Sequence, residues 1–481
     1  MSIKKNFIYS SIVTVSNYLF PFITYPYVSR VLGVTNIGIC NFVDSIINYF
    51  ILFSMMGIGI IGIREIARVN NDQQAVKDIF SKLFFINGVT TLIALIVLIC
   101  YIQLSPSLFI YKDLLYIGAL KLVANFLLID WLYKGLEDFK YITKITLTIK
   151  VLYVISVFIF IKDKNDYDIY YILLTLMIVI NAGFNCLHAR RFIHINKNTL
   201  KGLGSIVKPF LILGIYSLLT SMYTSFNVAY LGFVSSPTEV GYYTTATKLY
   251  TIILALFSAF TGVMLPRMSS LISERKTDQF KQLIYKSIDI LIMISFPTII
   301  ISTFFAPEII NIISGEGYEG AILPTIIIMP LIFIIGYEQV LIIQILMPLQ
   351  KDKAIFLNSI IGAIIGITLN LLLVDKYQSY GSAIVWVCAE ISVLISAQYF
   401  TTKYIKVYFP LKKLLYNLIL YMPIILVYYI YKRYCNNGII LNMIISILLM
   451  SIYFFFIQIR IIRNEFIRNI YFHCKNLTSR R

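Results

Sequence analysis

Runs of about twenty predominantly apolar residues recur from one end of the chain to the other, separated by short polar segments. As helix, twenty residues cover about 30 Å, the thickness of a bilayer's hydrocarbon core. Inside that core every backbone amide must bond within its own helix or within a closed barrel. A barrel would alternate apolar and polar residues over about ten positions, and these runs do not. The chain therefore reads as an all-α integral membrane protein. Composition agrees: 59% of the residues are hydrophobic and 13% are charged, against about 25% charged in a soluble domain.

Hydrophobic patterning predicts fourteen helices, near 7–29, 37–63, 83–103, 113–133, 142–161, 169–187, 209–233, 239–265, 287–306, 321–347, 354–374, 382–400, 414–431 and 439–459. Pro21, Pro26, Pro297, Pro324 and Pro330 should bend or interrupt theirs. The first run follows two lysines but is too long for a signal peptide's apolar core, so it is expected to be the first membrane helix. On these boundaries 31 of the 41 lysines and arginines fall on the N-terminal side, 7 on the other, and Lys121, Lys150 and Lys248 lie inside helices. The positive-inside rule then makes the N-terminal side cytoplasmic, with both termini there.

That bias also accounts for the net charge of +18 without a nucleic-acid partner. The six cysteines form no CxxC pair, and the three histidines sit in polar segments. No metal or cofactor is expected, and no GxxxxGK[ST] phosphate loop is present. The chain is not expected to be an enzyme. The basic segment 189–208 divides two six-helix halves, 1–188 and 209–402. Residues 403–481 add two helices and a basic tail.

The halves carry a weak repeat. Gly38 opens the second helix and Arg64 closes it; Gly241 and Arg267 do the same for the eighth, at an offset of 203. Under that shift Asp44 falls on Thr247 and Arg30 on Phe233. Six helices separate the copies, so both run the same way through the bilayer, as in transporters with a site between two parallel halves.

Several stretches resemble the polysaccharide (Wzx-type) flippases that move O-antigen and other oligosaccharide repeats. They belong to the multidrug/oligosaccharidyl-lipid/polysaccharide exporter superfamily. Arg30-Val31-Leu32-Gly33 with Gly38 resembles their R-x-L-G-x(4)-G junction. "DWLYKGLEDFKYIT" from Asp130, "VGYYTTATKL" from Val240, "SGEGYEGAI" from Ser314 and "LNLLLVDKYQSYGSAIVWVCAE" from Leu369 match further segments in order. The resemblance implies two pseudo-symmetric six-helix lobes around a central cavity, plus two C-terminal helices. It implies transfer of polyprenyl (undecaprenyl)-pyrophosphate-linked oligosaccharides across a bacterial cytoplasmic (inner) membrane, for O-antigen or capsular polysaccharide. Expected partners are that substrate, membrane lipids and other polysaccharide-assembly proteins. An ion-coupled multidrug exporter or a lipid II flippase of the same superfamily is the alternative. A membrane polysaccharide polymerase fits less well, because the longest outer loop, Ala306 to Gly320, has no lysine or arginine.

A charge at a helix centre costs about 2.5–3.5 kcal/mol on insertion scales, so such residues face a cavity or a partner. Asp44, Lys121, Lys248 and Glu390 fall at similar predicted depth, near the bilayer middle. A pyrophosphate wants cationic donors, which makes Lys248, Lys121 and, at the outer mouth, Arg30 the expected substrate contacts. Asp44, Glu390 and Glu338 are expected to couple an ion or to pair structurally. Asp130 and Lys134 have the spacing of an i, i+4 pair, and Lys150 is expected to snorkel.

Overall fold

The computed structural model describes residues 3–192, 204–434 and 439–461, which are almost entirely helical and contain no strand. The divider 189–208 and the tail lie largely outside the described residues. Among the described residues, eight helical stretches, or ten counting two bent pairs, are long and apolar enough to cross a bilayer. Two of them are double. Ile3–Met55 bends back at Gly33, whose φ of +76° suits glycine and few other residues. The reversal is evident in its contacts, because Tyr25 bonds Thr245 while Asn41 bonds the adjacent Thr244. Asp352–Ile405 likewise folds back, bringing Ser396 to within 2.6 Å of Asn358. With Leu411–Tyr434 and Ile439–Phe456, the count fits the expected fourteen crossings. The chain is a multi-pass membrane protein.

Several expected helices are broken. The second ends at Met55 and resumes as the short Ile58–Arg68. There Gly57 lies so close to the next lobe that a Cβ would sit 2.9 Å from both the Phe210 carbonyl oxygen and Leu213. The fourth is split by Ile129, a β-branched residue at φ 51°. Pro330 interrupts the tenth, which continues into a π-helical stretch at Val340–Leu346.

The two lobes meet on the axis that the repeat implies. Thr35 and Thr238 hydroxyls are 2.9 Å apart, and Asn41 Nδ2 donates to Thr244 Oγ1 at 3.0 Å. Both pairs are separated by 203 residues, the offset of the repeat. Between them a Cβ on Gly38 would strike the Pro237 carbonyl, and one on Gly241 would strike that of Val34. The duplicated glycines thus let two helices touch backbone to backbone, sealing the bundle at the end far from the N-terminus.

The two seams between the lobes differ. Where Asn41–Gly57 faces the helices of residues 204–234, contact runs the length of the bundle. Phe42 packs edge-on against Phe233, Tyr49 does the same with Phe226, and Met56 fills the space at Gly214. Across the other seam, Tyr25 reaches Thr245. Nearer the N-terminus, the hydrogen bonds leaving this helix among the described residues run to its own lobe, from Thr143 to the Tyr9 carbonyl and from Lys150 to Ser16 and Asn17. Thr14, Asn17 and Pro21 are exposed there. The last two helices lean on the second lobe through Phe305, Tyr421, Tyr428 and Met450.

The far-end seal should be trapped by chemistry. With the native cysteines replaced, a Thr35→Cys/Thr238→Cys pair should cross-link on mild oxidation, seen as a mobility shift reversed by reductant. Adding Gly38→Leu should abolish the cross-link by forcing the helices apart.

Candidate functional site

On the N-terminal side of the seal, the same helices enclose a cavity of about 580 Å³. Its wall carries Asn41, Asp44, Ser45 and Asn48 from the first lobe, and Thr244, Thr247, Lys248 and Thr251 from the second. The polar positions recur every three or four residues, so they share one face of each helix. Tyr49, Tyr243 and Trp386 add aromatic surface.

Asp44, Lys121 and Lys248 converge here, but in different states. Lys121 is buried behind Asp44 and forms an ion pair with it. Asp44 also accepts from Asn48 Nδ2 at 3.1 Å and from the Tyr171 hydroxyl at 3.4 Å. That acid is therefore occupied, and Lys121 reaches the cavity wall through it and through Asn48, whose Oδ1 accepts from Lys121 Nζ at 3.5 Å. Lys248 lines the cavity directly, its ammonium 4.4 Å from the centroid of the Tyr25 ring. Tyr25 is held in turn by Thr245, 2.6 Å away. Among the described residues, no ion pair neutralises Lys248.

Glu338 and Glu390 face one another inside the second lobe. Glu390 is 2% exposed and accepts from Trp386 Nε1 at 2.9 Å. Trp386 also forms part of the cavity wall, so the carboxyl pair is mechanically joined to the site. Arg30 lies elsewhere, at the far-end seam, where it donates to the carbonyls of Ile312 and Pro26.

Two expected arrangements are not formed. Lys150 does not snorkel: it is 8% exposed and donates to Ser16 Oγ at 3.0 Å and Asn17 Oδ1 at 2.5 Å. Asp130 makes no ion pair with Lys134. It accepts instead from Asn185 Nδ2 at 3.1 Å. Asn185 also donates to the Leu128 carbonyl at 2.6 Å, which the break at Ile129 leaves free. Sequence reasoning missed Asn185, although an amide inside an apolar run was a signal. It missed Asn41 and Thr244 too, although the offset of 203 superposes them.

The comparisons follow this geometry. The sequence profile described as "Polysaccharide biosynthesis protein" matches residues 3–272. The chain belongs to that family, and the flippase resemblance is borne out. A second profile, "Lipid II flippase MurJ", matches residues 168–449. A relative from Escherichia coli (strain K12) named "Putative O-antigen transporter" is 27% identical over 400 residues, covering 81% of this chain and 94% of its own. One of the same name from Shigella dysenteriae is 25% identical over 405 residues, covering 82% and 98%. Among solved structures, "Lipid II flippase MurJ, inward closed conformation" superposes with a TM-score of 0.76 at 16% identity, covering 94% of this chain and 99% of that one. An inward-facing multidrug resistance MATE family transporter of the MOP superfamily gives 0.61 at 15% identity, covering 79% and 91%. These similarities show a shared fold of two lobes around a central cavity.

The Asp44–Lys121 pair should behave as a unit. Lys121→Met or Asp44→Asn alone leaves one charge in a poorly solvated place. Each should cost about 2–3 kcal/mol, less than a fully buried pair because Asp44 borders the cavity. The double variant should regain most of the loss, as measured by thermal unfolding of the purified proteins.

Proposed function

We propose that the chain flips a polyprenyl-diphosphate-linked oligosaccharide from the leaflet on its N-terminal side to the opposite leaflet by alternating access. The observation that carries this reading is Lys248, an ammonium on the wall of an inter-lobe cavity with no carboxylate at ion-pair distance among the described residues. A cation left unneutralised at that depth is costly unless an anion arrives. A diphosphate supplies clustered negative charge, and charge-assisted hydrogen bonds to it are stronger than those between neutral groups.

The rest of the wall suits the cargo's sugars. Asn48, Thr247 and Thr251 offer donors and acceptors, and Tyr49, Tyr243 and Trp386 offer ring faces and edges. Lys121 shapes the field through Asp44. The names of the two curated relatives support an O-antigen-type cargo. The N-terminal side is taken as cytoplasmic from its lysine and arginine excess, in a bacterial inner membrane. The far-end seal then closes the outer side while the cavity loads. We place the coupling cation at the Glu338/Glu390 pair, whose tie to Trp386 transmits its occupancy to the cavity. The work is transport, with no covalent step on the cargo.

Lipid II is the second reading, favoured by the profile match over 168–449. It shares the lipid diphosphate, so the two differ in the cargo that accumulates. Deleting the gene should remove surface polysaccharide and leave its lipid-linked repeat units on the cytoplasmic leaflet. Accumulated lipid II with normal polysaccharide would favour the second reading. Lys248→Ala should reach the membrane at normal level yet restore no polysaccharide to the deletion strain. Normal export by that variant would remove Lys248 from the site.

A further inference from the structure

At the far end the first lobe is clasped to the second by polar contacts around Arg30. Its two terminal nitrogens donate to the carbonyls of Ile312 and, at 3.5 Å, Pro26. Ser29 Oγ lies 3.3 Å from the Ile313 carbonyl, and the Tyr318 hydroxyl donates to that of Ser29 at 3.1 Å. Ile312 and Ile313 belong to the last turn of the helix Ala306–Ser314. Carbonyls there have no partner within the helix and form the negative end of its dipole, so a guanidinium fits them. Gly315, at φ +86°, follows this turn, and a Cβ on it would lie 2.9 Å from Arg30 Cγ.

The choice of partner is informative. Glu308, Glu316 and Glu319 belong to the same outer segment, yet among the described residues Arg30 forms no ion pair. Glu319 instead accepts from the Gly317 backbone at 3.2 Å. A carboxylate would compete with phosphate for the guanidinium, whereas neutral carbonyls yield to it, since hydrogen bonds to an ionised acceptor are about twice as strong. Arg30 lies further along the same helix as Tyr25, toward the seal. It is five residues beyond Tyr25, whose ring carries Lys248, a rise of about 7.5 Å along the helix.

We infer that Arg30 is a substrate-displaced latch. The cargo's diphosphate takes its guanidinium from the Ile312 and Pro26 carbonyls, frees the 306–314 helix, and opens the far-end seal when the carrier is loaded. An empty carrier stays closed at this end. The inference rests on the lipid-diphosphate reading above and adds the role of Arg30 within it.

The test uses the full chain in lipid vesicles, with native cysteines replaced and Thr251→Cys on the cavity wall. A membrane-impermeant maleimide is applied from the far side. Farnesyl diphosphate serves as lipid probe, and inorganic pyrophosphate as the headgroup alone. With Arg30 intact, labelling should be slow and should accelerate about tenfold with farnesyl diphosphate, the difference between a charge-assisted and a neutral hydrogen bond. Arg30→Gln should label fast without ligand and respond little to it. Gly315→Ala, which displaces Arg30 without removing its charge, should also label fast. Acceleration by inorganic pyrophosphate would support the latch and show that no lipid tail is needed to trip it. Equal ligand responses in the parent and Arg30→Gln, or slow labelling of both variants without ligand, would overturn the latch. Binding of farnesyl diphosphate to the parent is measured alongside. Binding without acceleration sinks the latch alone, whereas absence of binding sinks the lipid-diphosphate reading and the latch with it.

Discussion

Where Gly38 meets Gly241, two helices of different lobes approach until backbone touches backbone. Any side chain at either position would separate them and draw Thr35 from Thr238 and Asn41 from Thr244. Because each contact joins a residue to its own repeat counterpart, the point lies on the pseudo-two-fold axis. One turn further along, repeat-related positions still face each other, but across space. The cavity is therefore a consequence of the seal: its wall begins at Asn41 and Thr244 and continues through Asp44, Ser45, Thr247 and Lys248.

Charge breaks this symmetry where the wall begins. Under the offset of 203, Asp44 corresponds to Thr247 and Ser45 to Lys248. One lobe thus carries the acid and the other the base, one position apart. The acid is spent on Lys121, with Tyr171 and Asn48 as further donors. Lys150 is accommodated by the neutral oxygens of Ser16 and Asn17. Lys248 packs its ammonium against the Tyr25 ring and, among the described residues, forms no ion pair. A cation–π contact supplies about 0.5–2 kcal/mol, against roughly 2.5–3.5 kcal/mol for a charge at mid-membrane. On the proposed reading, an anion in the cavity offsets the remainder.

Much of this was legible in the sequence, because bilayer thickness and backbone hydrogen bonding leave few options for apolar runs of such length. The repeat was legible too, through glycine spacing, since close helix approach tolerates little else. Pairing was harder to read. Asp44 with Lys121 and Glu338 with Glu390 depend on which faces of distant helices meet, and periodicity within one helix does not fix that. The partner of Asp130 was equally hidden, because Asn185 lies 55 residues on, in another helix, and a β-branched residue at positive φ, as at Ile129, leaves no sequence signal. Arg30 was found at the correct end, but its carbonyl partners were hidden, because a backbone oxygen at a helix end carries no residue code.

The unequal seams give the latch a direction. The position of the second lobe equivalent to Arg30 is Phe233, which packs edge-on against Phe42 with ring centroids 5.2 Å apart. That side continues through Tyr49 and Phe226 to Met56 and Gly214, a largely apolar contact in which the Tyr49 hydroxyl donates to the Ser221 carbonyl at 3.0 Å. The Arg30 side is held by polar groups that an anion can replace. On the proposed latch, the lobes pivot about the Phe42–Phe233 seam and part where Arg30, Tyr25 and Lys248 lie. The cation that binds the cargo and the cation that holds the seal then border the same opening, and headgroup transfer from one to the other is the motion that widens it.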